Sequence, residues 1–425
     1  MAALLVAGRG TTAVAAAGVA LLLAASPAVA FVSATTDGAD TVSITSNNAG
    51  DVMTMTCFVG QATVNGNLAL PVMGCQDVSF VEVDANGGAD SVNLAGLTRP
   101  VFPALSQTSV DVEDASADSV TGSEVRDVVH ADNADNVSTG VGDDWVQGAG
   151  TASGGEGNDT LRLISGAVLG GGGDDLIVNP GAGPIDGGGG FDTVVIDYSS
   201  FTTEVPLGLA LTDASINGTI DAAGIEAYHV TSSDGVEADI VDSRFYSGRV
   251  SFQGRAGDDT FLGGPGADVA DLGLGNDVVD AGPGSDLVLG GDGDDTINAR
   301  DGFGDVVECG PGTDTVTADR ADALSGCEHV SLPAPETSRI DGPKKLTKGV
   351  KAYFTFAASV ASATFECQVD AGAYKACASP FKVRSKKLKK GKHTLTVRAV
   401  QPAGNADPTP STFTFKVKPK QHAQA

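Results

Sequence analysis

From Gly254 the chain can be written in nines without a gap: GRAGDDTFL, GGPGADVAD, LGLGNDVVD, AGPGSDLVL and GGDGDDTIN. A ten-residue unit, ARDGFGDVVE, and then CGPGTDTVT carry the run to Thr317. One Asp returns at the same point of each unit: Asp259, Asp268, Asp277, Asp286, Asp295, Asp305 and Asp314. Two residues after each comes Phe261, Ala270, Val279, Val288, Ile297, Val307 or Val316. This beat constrains the fold more than any other feature of the chain. The glycines permit tight, left-handed turns that a β-branched residue resists, and the last residues of each unit are long enough for a short strand with one inward side chain.

A nine-residue unit cannot bury its apolar residue alone. Stacked with two units per coil, the units form a parallel β-solenoid in which the apolar residues make a narrow continuous core and the turns bring carboxylates into ladders. Residues 250–332 hold 17 acidic and 3 basic residues, so the stacked carboxylates repel unless a cation lies between them. Calcium suits the gap best, taking about six to eight oxygens in flexible geometry from carboxylates and turn carbonyls; magnesium demands a tighter octahedron, and zinc's usual imidazole or thiolate ligands are missing. An acidic disordered linker is the competing reading, but disorder does not need an apolar residue on a fixed beat.

These units resemble the RTX, or hemolysin-type, calcium-binding repeat, whose pattern GGxGxDxUx (U, a large apolar residue) is met at every place by GGDGDDTIN at 290–298. The resemblance implies a parallel β-roll with calcium bound in the turns by the repeated Asp of units two apart and by carbonyls of the Gly-rich turn. Carried onto this chain, Asp259, Asp277 and Asp295 line one side and Asp268 and Asp286 the other. The extra residue before Asp305 leaves the register of Asp305 and Asp314 open.

Residues 31–196 echo the pattern loosely, in DGADTVSI (37–44), NGGADSVNL (86–94), VGDDWV (141–146), GGEGNDTLRL (154–163), GGGGDDLIV (170–178) and GGGGFDTVVI (187–196). They read as a degenerate continuation of the solenoid with Asp144, Asp159, Asp175 and Asp192 as further candidate ligands; a separate β-sandwich over 31–130 also suits strands at this spacing. Residues 197–253 lack the beat and resemble the strand-pair spacer between RTX blocks. Trp145, the single Trp, reads as a surface-lying structural aromatic, with sugar stacking as the alternative.

The six Cys pair as sequence neighbours: Cys57–Cys75 and Cys309–Cys327, each 18 apart, and Cys367–Cys377, 10 apart. Residues 18 apart fall on equivalent places of adjacent coils, close enough for a disulfide. On this reading Cys309–Cys327 staples the last coil, and Cys57–Cys75 hints at a coil of similar size near the start.

The roll is taken to end at 332, with 333–338 as a linker, and there the charge inverts. Before residue 335 the chain has 9 Arg, no Lys and 49 acids (9 − 49 = −40); after it, 17 basic and 5 acidic residues (+12). Residues 339–418 alternate apolar and polar residues in YFTFA, ATFECQV, HTLTVRAV and TFTFKVK, as a small sandwich requires, and 419–425 is a basic tail. FECQVDAGAYKACASPF and the sequence after it resemble the Ig-like repeat of actinobacterial secreted and surface proteins, which implies a spacer or adhesion module. The cluster RSKKLKKGK (384–392) reads as a solvated loop, with cell-wall polymer or a surface protein as the partner it would suit otherwise.

Residues 1–30 read as a secretory signal: Arg9, an apolar run over Thr12–Ala25, and Ala28-Val29-Ala30 before the expected cut. The run is short for a membrane anchor, the alternative reading. The acidic bulk of the chain excludes nucleic acid as a partner, and the expected localisation is extracellular or at the cell surface. The five His are scattered, and neither HExxH, GxSxG nor a P-loop occurs. The expectation is therefore an all-β, exported, non-catalytic calcium protein, with an adhesion protein as alternative and a calcium-assisted polysaccharide lyase as the enzyme reading.

Overall fold

The computed structural model describes residues 21–25, 30–36, 40–47, 50–58, 61–65, 67–68, 73–199, 208–213, 215–217, 220–233, 235–401 and 405–419. Most of the expected signal, and the end of the basic tail, lie outside them. The C-terminal part of the apolar run, Leu21–Ala25, is a strand antiparallel to Ala30–Thr36. The chain divides into two compact units, Met1–Val330 and Ser331–Ala425.

The first unit is a solenoid of two long sheets, with the chain passing from one sheet to the other and back in each coil. One sheet stacks parallel strands from Thr41–Thr45 to Ala323–Ser325. The other stacks Val52–Phe58, Ser91–Asn93 and their successors to Thr315–Ala318. In the regular stretch each strand pairs with the strand 18 residues on, Thr260 with Val278 and Val278 with Thr296, which is two nonapeptides per coil. Phe261, Ala270, Val279, Val288, Ile297, Val307 and Val316 all point inward and are at most 2% exposed. Each such side chain contributes about 1–3 kcal/mol by leaving water, and none could be buried without the neighbouring coils.

Among the described residues the coil continues from Thr41 to Asp197, and those of 31–130 form no separate sandwich. Thr41 pairs with Phe80, Phe80 with Gln107 and Gln107 with Arg126, all parallel. Spacings of 39, 27 and 19 residues show loops growing out of the coils while the strands stay stacked. The spacer is shorter than 197–253. Among the described residues of 197–253, an antiparallel excursion, Gly208–Thr212, Ser215–Ile216 and Ile220–Ala223, interrupts the second sheet. Ala227–Thr231 and Arg249–Gln253 are ordinary parallel rungs of the first sheet, and Ile240–Phe245 is one of the second. Tyr228 and Tyr246 fill the interior there, 4.8 Å between ring centres.

All three disulfides form as paired above, but for partly different reasons. Cys309–Cys327 joins adjacent coils, where the Cys309 N–H donates to Ser325 O at 2.9 Å. Cys57–Cys75 does not. Cys57 lies on a strand paired antiparallel with Gln61–Val64, and Cys75 opens a short 3-10 turn after the next strand, Asn67–Leu68, so the bridge ties down an antiparallel excursion within a 39-residue coil and the spacing of 18 is a coincidence. Cys367–Cys377 spans a hairpin diagonally, because Cys367 faces Lys375 and Cys377 faces Phe365. Removing the terminal staple as Cys309→Ser/Cys327→Ser is expected to cost about 3 kcal/mol, the figure for closing a loop of this length. Hydrogen exchange should report it as a roughly hundredfold faster opening of strands 306–308 and 323–325 with the rest of the roll unchanged.

The second unit is a two-sheet sandwich. Lys345–Thr347, Ser411–Lys418, Gly391–Val400, Thr364–Val369 and Lys375–Cys377 form one sheet, and Lys351–Phe354 with Phe381–Arg384 the other. Phe354, Leu395, Val397, Phe415 and Val417 share its core. Thr337, expected in the linker, already packs on this unit, its N–H donating to Asp407 at 2.8 Å. Within the basic cluster, the Ser385 hydroxyl is buried and ties the loop to Thr347 O and Val350 O.

Candidate metal centre

Each repeated Asp stands two residues before an inward apolar residue, where the chain turns into a strand. That place makes it a rung. The backbone N–H of Asp259 donates to Asp277 Oδ1 at 2.7 Å, that of Asp277 to Asp295 Oδ1 at 2.9 Å, and that of Asp295 to Asp314 Oδ1 at 2.9 Å. A second ladder runs along the other sheet from the Val250 N–H to Asp268, then Asp286, then Asp305. The two series therefore occupy opposite sheets, as the repeat spacing requires. The extra residue before Asp305 is absorbed in the loop, because Asp286 to Asp305 and Asp295 to Asp314 remain successive rungs at a separation of 19. Asp305 and Asp314 lie on different ladders and share no site.

Asp144, Asp159, Asp175 and Asp192 form an earlier stretch of ladder, joined in order from Asp127 by N–H to Oδ1 bonds of 2.8 Å and ended by Glu226. All eleven candidate Asp are at most 3% exposed. The sequence reading missed further rungs: Asp51, Asp90, Asp118 and Asp135 on the second sheet, Asp127 on the first, and Asp239 before Asp259. Except at Asp90, which follows Gly87-Gly88 in the echo NGGADSVNL, their turns have lost the Gly pattern, but Asp-x-apolar survives in Asp51-x-Met53, Asp90-x-Val92, Asp118-x-Val120, Asp135-x-Val137, Asp127-x-Val129 and Asp239-x-Val241. That shorter motif was the available signal.

The rung bond satisfies one carboxylate oxygen, and what happens to the other divides the ladder. Asp268 Oδ2 accepts the Gly264 N–H at 3.1 Å, Asp127 Oδ2 the Ser123 N–H at 2.7 Å, and Asp135 Oδ2 the Asp132 N–H at 2.7 Å. The Oδ2 atoms of Asp144, Asp159, Asp175, Asp192, Asp259, Asp277, Asp286, Asp295, Asp305 and Asp314 are buried with no hydrogen-bond partner. A buried, unpartnered carboxylate oxygen is costly, and a hard cation is the ligand that removes the cost. Of the candidates, Asp268 is the one whose second oxygen is already spoken for.

Burial pushes the Asp159, Asp259 and Asp286 carboxyls up to about 7, and those of Asp144, Asp175, Asp277, Asp295 and Asp305 up to about 6; the rung N–H groups oppose the rise and neighbouring carboxylates add to it. The turn leaves no room for a side chain at Gly290 beside the rung carboxylate. A Cβ on Gly290 would stand 2.5 Å from Asp295 Oδ2 and 2.5 Å from Cys309 O. Asp301, missed by the sequence reading, joins Asp286 and Asp305 so that one carboxylate oxygen of each lies within 4.8 Å of the others. Outside these, the residues just before the rungs make an exposed ladder in the opposite sense, with Asn276 N–H to Asp258, Asp294 N–H to Asn276 and Thr313 N–H to Asp294. Trp145 is half-buried and packs on His130 with ring centres 4.9 Å apart.

A family model for the RTX calcium-binding nonapeptide repeat, in four copies, matches residues 146–163, 251–279 and 271–306. No curated protein matches the chain. Among the described residues no helix is long and apolar enough to cross a membrane.

Proposed function

We propose, from the premise that this chain carries RTX calcium-binding nonapeptide repeats, that it is an exported, non-catalytic structural protein whose roll folds as calcium fills its turns. One observation carries this reading: successive rungs leave buried Oδ2 atoms without partners in the part of the chain that the repeat family matches. Asp259, Asp277, Asp295 and Asp314 would hold ions along one sheet, and Asp286, Asp301 and Asp305 along the other. Asp144, Asp159, Asp175 and Asp192 repeat the arrangement upstream. Calcium neutralises carboxylates that otherwise repel, and because the unfolded chain has no such turns, the free energy of binding becomes free energy of folding. A chain that stays open where calcium is scarce and closes where it is abundant suits export, in keeping with the signal-like residues 1–30. The C-terminal sandwich is read as an Ig-like spacer.

Equilibrium dialysis and circular dichroism on the full chain test the proposal. Calcium is expected to bind at several equivalents and to raise the β-sheet signal. Asp277→Asn/Asp295→Asn should lose at least two equivalents, since each substitution removes a charge shared by two successive turns. Absence of calcium uptake by the unaltered chain overturns the reading.

A further inference from the structure

We infer that Asp90, Asp114 and Asp118, far upstream of the regular nonapeptides, form a further divalent-cation site built from three side-chain carboxylates. Asp90 and Asp118 are consecutive rungs of the second sheet, 3% and 1% exposed, on strands that place Val92 beside Val120. Asp114 arrives from the loop four residues before Asp118. One oxygen from each of the three carboxylates lies within 4.8 Å of the others.

A cluster of acids alone would say little, but the buried Asp118 Oδ2 has no partner. Asp118 Oδ1 is held by the Asp90 N–H, so the remaining oxygen has nothing to accept from within the protein. The charged groups that act on Asp90 and Asp118 are Asp51, Asp114 and Asp135, all carboxylates. Three anions gathered without a cation are unstable at neutral pH. Carboxylate oxygens within 4.8 Å of one another are close enough to share one cation at calcium–oxygen distances of about 2.3–2.6 Å.

The same construction occurs a second time. At the other end of the roll Asp301 stands four residues before Asp305, and Asp286 is the preceding rung. A turn N–H from the previous coil holds the loop carboxylate in both places, Gly87 to Asp114 and Gly284 to Asp301. So does the N–H two residues on, Ser116 to Asp114 and Phe303 to Asp301, both at 2.8 Å. The downstream copy lies within residues matched by the calcium-repeat model; the upstream copy lies outside them. A polar cleft lined by Asp84, Asn86, Asp111 and Glu113 opens beside Asp114 and admits water to complete the ion's shell.

This inference rests on the calcium reading of the repeats, and the test separates the two. Calcium stoichiometry of the full chain is measured by equilibrium dialysis for the unaltered protein and for Asp114→Asn, which spares every rung. The expected result is one equivalent fewer in the variant, with the remaining sites unaltered in affinity and the circular dichroism in calcium unchanged. Equal stoichiometry overturns the inference and leaves the repeat sites standing; no calcium uptake by the unaltered protein overturns both. Should Asp114→Asn fail to fold, Asp114→Glu keeps the charge and moves it by one methylene. That variant is expected to weaken one equivalent at least tenfold, and uniform binding across all equivalents would count against the site.

Discussion

Stripped of metal near pH 8, the roll is expected to melt about 12 °C lower than in excess calcium, and acidification should move the two states in opposite directions. The size follows from mass action: three sites held at about a hundred times their Kd contribute roughly 8 kcal/mol, and for a unit as long as Met1–Val330 each kcal/mol moves Tm by about 1.5 °C. The direction follows from the rungs. With burial as the main cause, Asp159, Asp259 and Asp286 are raised to about 7 and Asp277, Asp295 and Asp305 to about 6, whereas an unfolded Asp titrates near 4. A group raised in the folded state contributes stability that is complete below its unfolded pKa and is lost as pH rises through the folded value. Metal-free, the roll should therefore gain stability as pH falls from about 8 to about 5.

With calcium present the sign reverses. The ion requires ionised carboxylates, so protonation competes with it and acid lowers Tm over the same range. Thermal melts followed by circular dichroism across that range, with and without calcium, should give two lines of opposite slope. A metal-free Tm that rises with pH, or one that equals the calcium value throughout, would sink the account. The C-terminal sandwich supplies an internal control. Its buried His393 is bonded to Asp370 at 2.7 Å, takes no part in the ladders and should melt independently of calcium.

The regular stretch was legible because turn, rung and core each claim a fixed place in nine residues. Phe261 to Val316 and Asp259 to Asp314 could be assigned by counting alone. Upstream, what varies is the loop, and loop length costs little once the strands are stacked. Coils of 39, 27, 19, 17 and 15 residues (Thr41 to Phe80, Phe80 to Gln107, Gln107 to Arg126, Val128 to Trp145, Trp145 to Thr160) have no common period, so Asp51 and Asp118 were invisible to a search for a beat and Asp90 showed only within an isolated echo. The pairing of Cys57 with Cys75 was right, while the coil inferred from it was not, since a spacing carries no record of which element each residue sits in. Asp268 shows the limit from the other side. Its place in the repeat equals that of Asp286, yet its second oxygen meets the Gly264 N–H, a local loop contact that no repeat pattern encodes.

Two glycines with left-handed backbone separate the ion-binding turn from its mere conformation, and Gly293→Ala is expected to be far more damaging than Gly302→Ala. Gly293 has φ +143°, and a Cβ there runs into the Gly275 carbonyl oxygen of the preceding coil. That obstacle is backbone, fixed in turn by the Gly275 N–H bond to Asp292 O at 2.9 Å, so the coils must part to admit a methyl. They cannot part without lengthening the Asp277 to Asp295 rung beside them. Gly302 has φ +100° with nothing within 4 Å of the added carbon, so its substitution carries the left-handed strain alone, about 1–2 kcal/mol. Gly293→Ala adds overpacking to a similar strain, about 3 kcal/mol or more in total. It should also raise the calcium concentration for half-folding at least tenfold, which Gly302→Ala should leave within about twofold, one pair of turns being lost in the first case and none in the second. Calcium titrations of both variants decide it. If the two shift equally, close stacking of the turns is not what shapes the site, and the rungs alone hold the roll together.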